Sequence, residues 1–268
     1  MTTIEMSGAV NLVGLVVPLV FAGLWWLERR HAAQPFVDVE GWSRRGVSFF
    51  VATAAVGSVV PWLWRASPLE GVSVLHLRSW GYAGVPLGLL FVTFVSYWWH
   101  RAEHRTKALW LATHQLHHSA LRIDVAGAYY VHPLEVAAKG TLAFLALSVV
   151  LGLTVEAATV ASTATAVISI FQHWNVRTPR MLGYVLPRPE MHQLHHEYGV
   201  HGRNYGDLPL WDMLFGTYAN PAEVPAGLRV GFDAQASAAP HGGAGQRSSC
   251  GSGQRNGLFS AFTLLKKV

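Results

Sequence analysis

The chain is poor in charge and nearly devoid of cysteine. Only 13% of its 268 residues are Asp, Glu, Lys or Arg, whereas 51% are hydrophobic and eleven are Trp. A soluble domain carries roughly a quarter of its residues as charges, so the composition excludes an ordinary water-soluble globule and fits a chain that lives in lipid. The one cysteine, Cys250, lies in a Gly/Ser-rich tail, which rules out a disulfide framework and any thiolate metal site. A bound metal must then be held by nitrogen and oxygen. The chain also lacks a basic block. Its formal charge of +5 is scattered beside apolar stretches rather than gathered into the stripe a nucleic acid needs, and no nucleic-acid partner is expected.

Long apolar runs supply what the charge deficit leaves. Gly8 to Leu27 is uncharged over about the 20 residues that a bilayer-spanning helix requires. It ends in Trp25, Trp26, Glu28, Arg29 and Arg30, an interfacial aromatic and basic boundary. The opening MTTIEM has no basic segment and no small-residue cleavage site follows, so the first helix is expected to be retained rather than removed as a signal peptide. Further spans are expected from about Val47 to Leu63 and from about Tyr82 to Trp99. Gly140 to Phe171 is too long for one span and short for two, with Gly152 and Glu156 near its middle, which predicts a tight helical hairpin with both ends on one side. The expected fold class is an all-α integral membrane protein of four to five transmembrane or hairpin helices with a helical cap. Three regions follow: N-terminal membrane helices over 1–81, a catalytic domain over 82–221, and a tail over 222–268 whose Ala/Gly/Ser-rich composition predicts disorder.

Basic residues orient the spans. Arg29, Arg30, Arg44 and Arg45 follow the first, only Arg65 and Arg78 follow the second, and Arg101, Arg105, Lys107, Arg122, Arg177, Arg180, Arg188 and Arg203 flank the third span and the hairpin. The positive-inside tendency then puts the N-terminus outside and the segments after the third span and the hairpin in the cytoplasm.

Those cytoplasmic segments hold eleven of the fourteen histidines, between His100 and His201. His100 and His104, in WWHRAEH, lie four residues apart and share a helix face. The pentapeptide HQLHH occurs twice, and in each copy the i, i+3 and i+4 positions are expected to form a three-nitrogen patch: His114, His117 and His118, then His192, His195 and His196. His173, in FQHWN, is a ninth candidate. Burying so many imidazoles beside a bilayer is costly unless a metal partners them. Nine exceed what one ion takes, so two ions are implied, and imidazole suits zinc, copper, iron or nickel. His31, His76 and His241 are read as solvated or hydrogen-bonded residues without that role. Tyr129, Tyr130, Trp98 and Trp99 are read as an interfacial aromatic belt, with the lining of a lipid channel as the alternative.

The ordered set WWHRAEH, HQLHH, FQHWN, HQLHH and NYGDLPLWDMLFGTY, from about Phe91 to Pro221, resembles the fatty acid hydroxylase superfamily, also called the sterol desaturase family. That resemblance implies a non-haem pair of irons held by histidine, dioxygen as oxidant, a lipid substrate drawn from the bilayer, and a separate electron donor such as a ferredoxin or a cytochrome b5-like protein. Carried onto this chain, it implies His100, His104, His114, His117, His118, His192, His195 and His196 as ligands, with His173 at the extra position some relatives have. Where those relatives often place a further histidine, this chain has Arg177. His132 and His201 stand as possible additional ligands or supporting groups. Glu103, Glu135, Glu190, Asp207, Asp212, Asn175 and Asn204 lie near enough in sequence to orient ligand rings, as carboxylates and carbonyls commonly do. WDMLFGTY reads as a packing closure. Hydroxylation is the expected outcome, desaturation on the same centre the alternative, and a non-enzymatic membrane metal-binding protein the rival of another class.

Overall fold

A computed structural model describes residues 3–231. Cys250, His241 and the segment LFSAFTLLKKV lie outside the described residues, as does the expected tail beyond 231. Residues 222–231 run back along the cap, where the Tyr198 N–H donates to the Arg229 carbonyl. Among the described residues there is no strand, only one isolated antiparallel bridge between Glu197 and Val230.

Five long helices alternate in direction. They are α1 (Thr3–His31), α2 (Trp42–Arg65), α3 (Val85–Arg105), the hairpin arm α6 (Pro133–Phe144) continued by a π-helical segment (Leu145–Val150), and α7 (Val155–Gln172). Between α3 and α6 come α4 (Lys107–Leu109), a π turn (Trp110–His114) and α5 (Gln115–His118); after α7 come α8 (Pro189–His195) and α9 (Pro209–Phe215). Helices α3, α6, α8 and α9 each open with proline in the first turn, where its missing N–H costs nothing. Among the described residues, four helical stretches are long and apolar enough to cross a membrane: Trp42–Arg65, Leu77–Arg105, Pro133–Val150 and Val155–Gln172.

The hairpin starts earlier than the hydropathy boundary at Gly140 suggested. Lys139 interrupts the apolar run, yet its ammonium lies 2.6 Å from Glu135 one turn back, and that pairing lets a charged turn continue a membrane-length helix. Both arms are then 18 residues long. The reversal at Leu151–Thr154 depends on Gly152, at φ 66°. A Cβ there would stand 2.6 Å from that of Ser73.

Packing pairs α2 with α6, α1 with α7 and α3 with α7. At the hairpin end the core is aliphatic, built from Val92, Leu147, Leu151, Leu153, Ala157 and Ala161. At the other end, residues 119–131 are folded in among the helices. Trp42, Ala120, Ala126 and Tyr130 form one cluster there, and Phe21, Val125 and Ile170 another. Tyr130 is only 3% exposed and the Tyr129 hydroxyl donates to the Ala166 carbonyl, so these two tyrosines pack against α1, α2 and α7 instead of forming an interfacial belt. The C-terminal ends of α1, α3 and α7 and the N-terminal ends of α2 and α6 meet at this second end, with α8 and α9 against it.

Candidate metal centre

The site is assembled from four stretches of chain. His100 and His104 come from the last two turns of α3, the first HQLHH from the π turn and α5, His173 from the residue after α7, and the second HQLHH from α8. Ligating atoms of His100, His104, His114, His118 and His195 lie within 4.8 Å of one another, and those of His117, His173, His192 and His196 form a second such group. The nine histidines thus divide five and four.

The division corrects the expected three-nitrogen patches, because each HQLHH is split between the two groups. Residues i and i+4 differ by only about 40° round a helix, whereas i+3 and i+4 differ by about 100°. The i, i+4 pairs His100/His104 and His114/His118 therefore stay together in the five-histidine cluster, and His192/His196 in the four-histidine cluster. The i+3 residues cross over: His117 joins the second cluster and His195 the first. The rings of His118 and His196, one from each cluster, stack with centroids 4.1 Å apart. A π turn over Trp110–His114 leads into the first box and carries its first histidine, a local widening that recurs where helices build functional sites.

Within each cluster the imidazole nitrogens approach at hydrogen-bond distance. His100 Nε2 is 2.9 Å from His114 Nε2, and His118 Nε2 is 3.1 Å from His195 Nε2. His173 Nε2 is 3.2 Å from His117 Nε2 and 3.0 Å from His192 Nε2, which is 3.0 Å from His196 Nε2. Two nitrogens held at right angles by bonds of about 2.1 Å to one ion are about 3.0 Å apart, so the spacing suits a shared cation. The outer nitrogens decide what the inner ones offer. His100 Nδ1 donates to the Tyr205 carbonyl at 2.7 Å and His114 Nδ1 to the Glu135 carboxylate at 3.0 Å. A carbonyl and a carboxylate accept only, so in the neutral rings both Nε2 atoms carry lone pairs. Two lone pairs face each other with no proton between them, which a metal ion would reconcile. His195 Nδ1 and His173 Nδ1 likewise donate to the Arg203 and Ser169 carbonyls, the ring-orienting arrangement common to metal-bound imidazole.

Electrostatics keep the rings neutral. Burial pushes His195 down to about 3 and His173 to about 4, each partly opposed by its carbonyl partner. Burial, reinforced by neighbouring cationic and imidazole groups, holds His114, His117, His118, His192 and His196 well below the ordinary histidine value. Neutral imidazole is the form that ligates metal.

The sequence of residues 85–217 matches the profile of the family described as fatty acid hydroxylase, and this segment contains every histidine of both clusters. The chain belongs, through these residues, to the fatty acid hydroxylase family. Among curated relatives, it is 33% identical over 153 residues to an ornithine lipid hydroxylase, OlsE, of Rhizobium tropici, a match that covers 55% of this chain and 45% of that protein. The chain thus spans about half the length of that relative. No solved structure matches.

The other candidates take varied places around the hydroxylase-family segment. His201 reaches the rim of the five-histidine cluster, its Nδ1 3.0 Å from His104 Nδ1. His132 lies in neither group; its Nδ1 accepts the Leu134 N–H and caps α6. Glu103 is fully buried, accepts the Thr113 hydroxyl and lies 3.8 Å from His114. Asn175 clamps the residues after His173 to the end of α1 by exchanging hydrogen bonds with the Gln34 backbone. Asn204, at φ 52°, donates to the Met191 and Ala219 carbonyls. Asp207 accepts the Ser96 hydroxyl. Asp212 accepts from the Tyr205 and Gly206 N–H groups and from the Thr217 hydroxyl. Glu190 pairs with buried Arg188 and accepts from Thr178. His31 and His76 stand apart from the clusters, His76 meeting the Ser73 hydroxyl.

Glu28 is the residue that sequence reasoning missed. It is 1% exposed near the end of α1 and accepts the N–H groups of Asn175 at 2.7 Å and Val125 at 3.1 Å. Its one signal in the sequence, a lone carboxylate at the end of an apolar run, was masked by the two arginines after it.

Proposed function

We propose that this chain is a membrane-bound non-haem diiron oxygenase that hydroxylates an unactivated C–H bond of a lipid. The observation that carries the reading is the convergence of nine largely buried imidazoles into two adjoining clusters at one end of a set of membrane-length helices. Support comes also from the family match and from a relative named as a lipid hydroxylase.

A bound iron pair supplies the oxidising power that no side-chain acid or base provides, consuming dioxygen and two electrons. The balance is one C–H bond, one dioxygen, two electrons and two protons giving an alcohol and water. His100, His104, His114, His118 and His195 hold one ion, and His117, His173, His192 and His196 the other. The Tyr205, Arg203 and Ser169 carbonyls and the Glu135 carboxylate fix ring orientation by taking the outer N–H of four of these histidines. Burial keeps bulk water from the clusters. The electrons come from a separate carrier of the ferredoxin or cytochrome b5-like kind, and the histidine end faces the cytoplasm, as the distribution of arginines favours. An aminolipid such as the relative's ornithine lipid belongs to the proposed substrate class, with fatty acyl and sterol carbons beside it.

The test is metal analysis of the purified protein together with lipid mass spectrometry of cells with and without it. The expected results are two irons per chain and a lipid gaining the mass of one oxygen. Full activity without iron sinks the reading, and a loss of two hydrogens instead of an oxygen gain replaces hydroxylation by desaturation. His117→Ala should abolish turnover while membrane insertion persists.

A further inference from the structure

Helix α9 is inside out for a helix in water. Its charged residue, Asp212, is 1% exposed, while Leu210, Met213 and Leu214, at i, i+3 and i+4, form its outer face at 38%, 39% and 62% exposure. A helix that borders water has its apolar stripe inward and its charges outward.

The inner face of α9 fixes its level along the bundle. Trp211 Nε1 donates to the Thr93 hydroxyl at 3.0 Å, and its ring meets Phe94 at 5.1 Å edge to face. Phe215 packs on Tyr97 and Trp98 at 5.3 and 4.9 Å. Thr93 precedes His100 by seven residues (100 − 93) and Arg105 by twelve (105 − 93), or about 10 and 18 Å at 1.5 Å per residue. Both intervals run from the histidine end toward the apolar middle of α3. The adjoining surface of α3 is also apolar, with Leu90 40% and Trp98 43% exposed. Backbone groups around α9 are satisfied within the protein: Asp212 takes the Tyr205 and Gly206 N–H groups, and the Trp211 and Thr217 N–H groups reach the Leu208 and Asp212 carbonyls. Internal pairing of this kind is what a short helix in hydrocarbon requires.

We propose that α9 is embedded in the membrane leaflet beside α3, with Leu210, Met213 and Leu214 against lipid acyl chains. The partner is the bilayer itself, because this face continues the lipid-facing surface of a membrane-length helix and carries no charge. The catalytic segment thereby reaches below the membrane surface instead of resting on it. The inference rests on α3 crossing the bilayer, part of the proposed function, and on neither iron nor turnover.

The test uses full-length protein carrying Cys250→Ser, with one cysteine introduced at Leu214, Met213, Leu90 or Glu223 and a nitroxide attached, in vesicles of phosphatidylcholine and phosphatidylglycerol. Collision rates with oxygen, which concentrates in hydrocarbon, are compared with those of a water-soluble nickel chelate. The expected result is oxygen exceeding nickel several-fold at 214, 213 and 90, with the order reversed at the exposed control 223. A nickel rate at 214 and 213 equal to that at 223, with 90 still lipid-like, overturns the embedding of α9 alone; a water-like rate at 90 overturns the membrane reading of α3 with it. Shielding from both probes at 214 with spin–spin coupling between labels means that a second copy of the chain covers the face, and also overturns the proposal.

Discussion

The two histidine clusters are built from the same boxes yet held by different means. In the five-histidine cluster, His100, His114 and His195 each have the outer nitrogen tied to a carbonyl or carboxylate, and His104 meets His201 at the rim. In the four-histidine cluster only His173 is tied in this way, while His117 Nδ1 and His196 Nδ1 are buried without a hydrogen-bond partner. The first cluster is oriented by bonds and approached by a partly exposed rim; the second is oriented by close packing and by the anchorage of the chain after His173. The consequence is that damage should spread differently. A change at the four-histidine cluster has fewer supports to absorb it, whereas the five-histidine cluster should weaken in steps.

The harshest way to probe this difference is His173→Ala. His173 Nε2 faces both His117 and His192, so its loss leaves the second cluster three nitrogens and removes the one that links His117 to the close His192–His196 pair. We expect iron to fall from two per chain to one, with turnover abolished, as read by metal analysis alongside oxygen consumption on addition of reductant. Retention of both irons would mean that the four-histidine group is not an independent site.

Next in expected effect is Glu28→Ala, which acts on the same cluster from outside the family-matched segment. The substitution strips acceptors from the buried N–H groups of Asn175 and Val125, at on the order of 1–3 kcal/mol for each unsatisfied donor. Thermal unfolding in detergent should show that loss, and iron should leave the four-histidine site before the other. A uniform fall in both sites would assign Glu28 to general stability alone. Glu135→Gln addresses the opposite cluster. It weakens the hydrogen bond that orients His114, and loss of such a support typically costs about 10–100-fold in metal affinity. Chelator competition should find one weakened ion per chain with the second unchanged.

How far the sequence could foresee this asymmetry depends on what sets each feature. The nine histidines, the membrane-length helices and the hairpin all follow from short-range pattern: apolar length, Gly152 at the reversal, and imidazoles four residues apart. The sharing of each HQLHH between two clusters does not, because it depends on what stands opposite the i+3 residue. His117 faces His173, some fifty-six positions away, and only the packing of α5 against the end of α7 brings them together. The role of His132 was hidden for a related reason, since a histidine before proline serves equally as helix cap or as ligand until its neighbours are known. Lys139 misled the hairpin boundary because hydropathy counts a charge without its partner. Asp212 shows the same gap from the other side: it is buried in a helix whose Leu210, Met213 and Leu214 face outward, an arrangement that no helical-periodicity rule for water-bordering helices anticipates.

The smallest expected effect belongs to His201, and it sharpens the comparison most finely. His201 is exposed; its side chain meets the site at 3.0 Å from His104 Nδ1, and its backbone carbonyl accepts the Tyr205 hydroxyl. This geometry makes it a rim residue that steadies His104, while His104 Nε2 is buried without a protein partner. His201→Ala should then leave both irons bound and lower affinity at the five-histidine site by well under the tenfold that marks loss of a buried support, and His201→Asn, which keeps a hydrogen-bonding group at the rim, should restore most of that loss. Should alanine instead empty the five-histidine site and asparagine fail to rescue it, His201 is itself a ligand. The rim would then be part of the first coordination set, and the contrast between a bonded cluster and a packed one would become a contrast between six ligands and four.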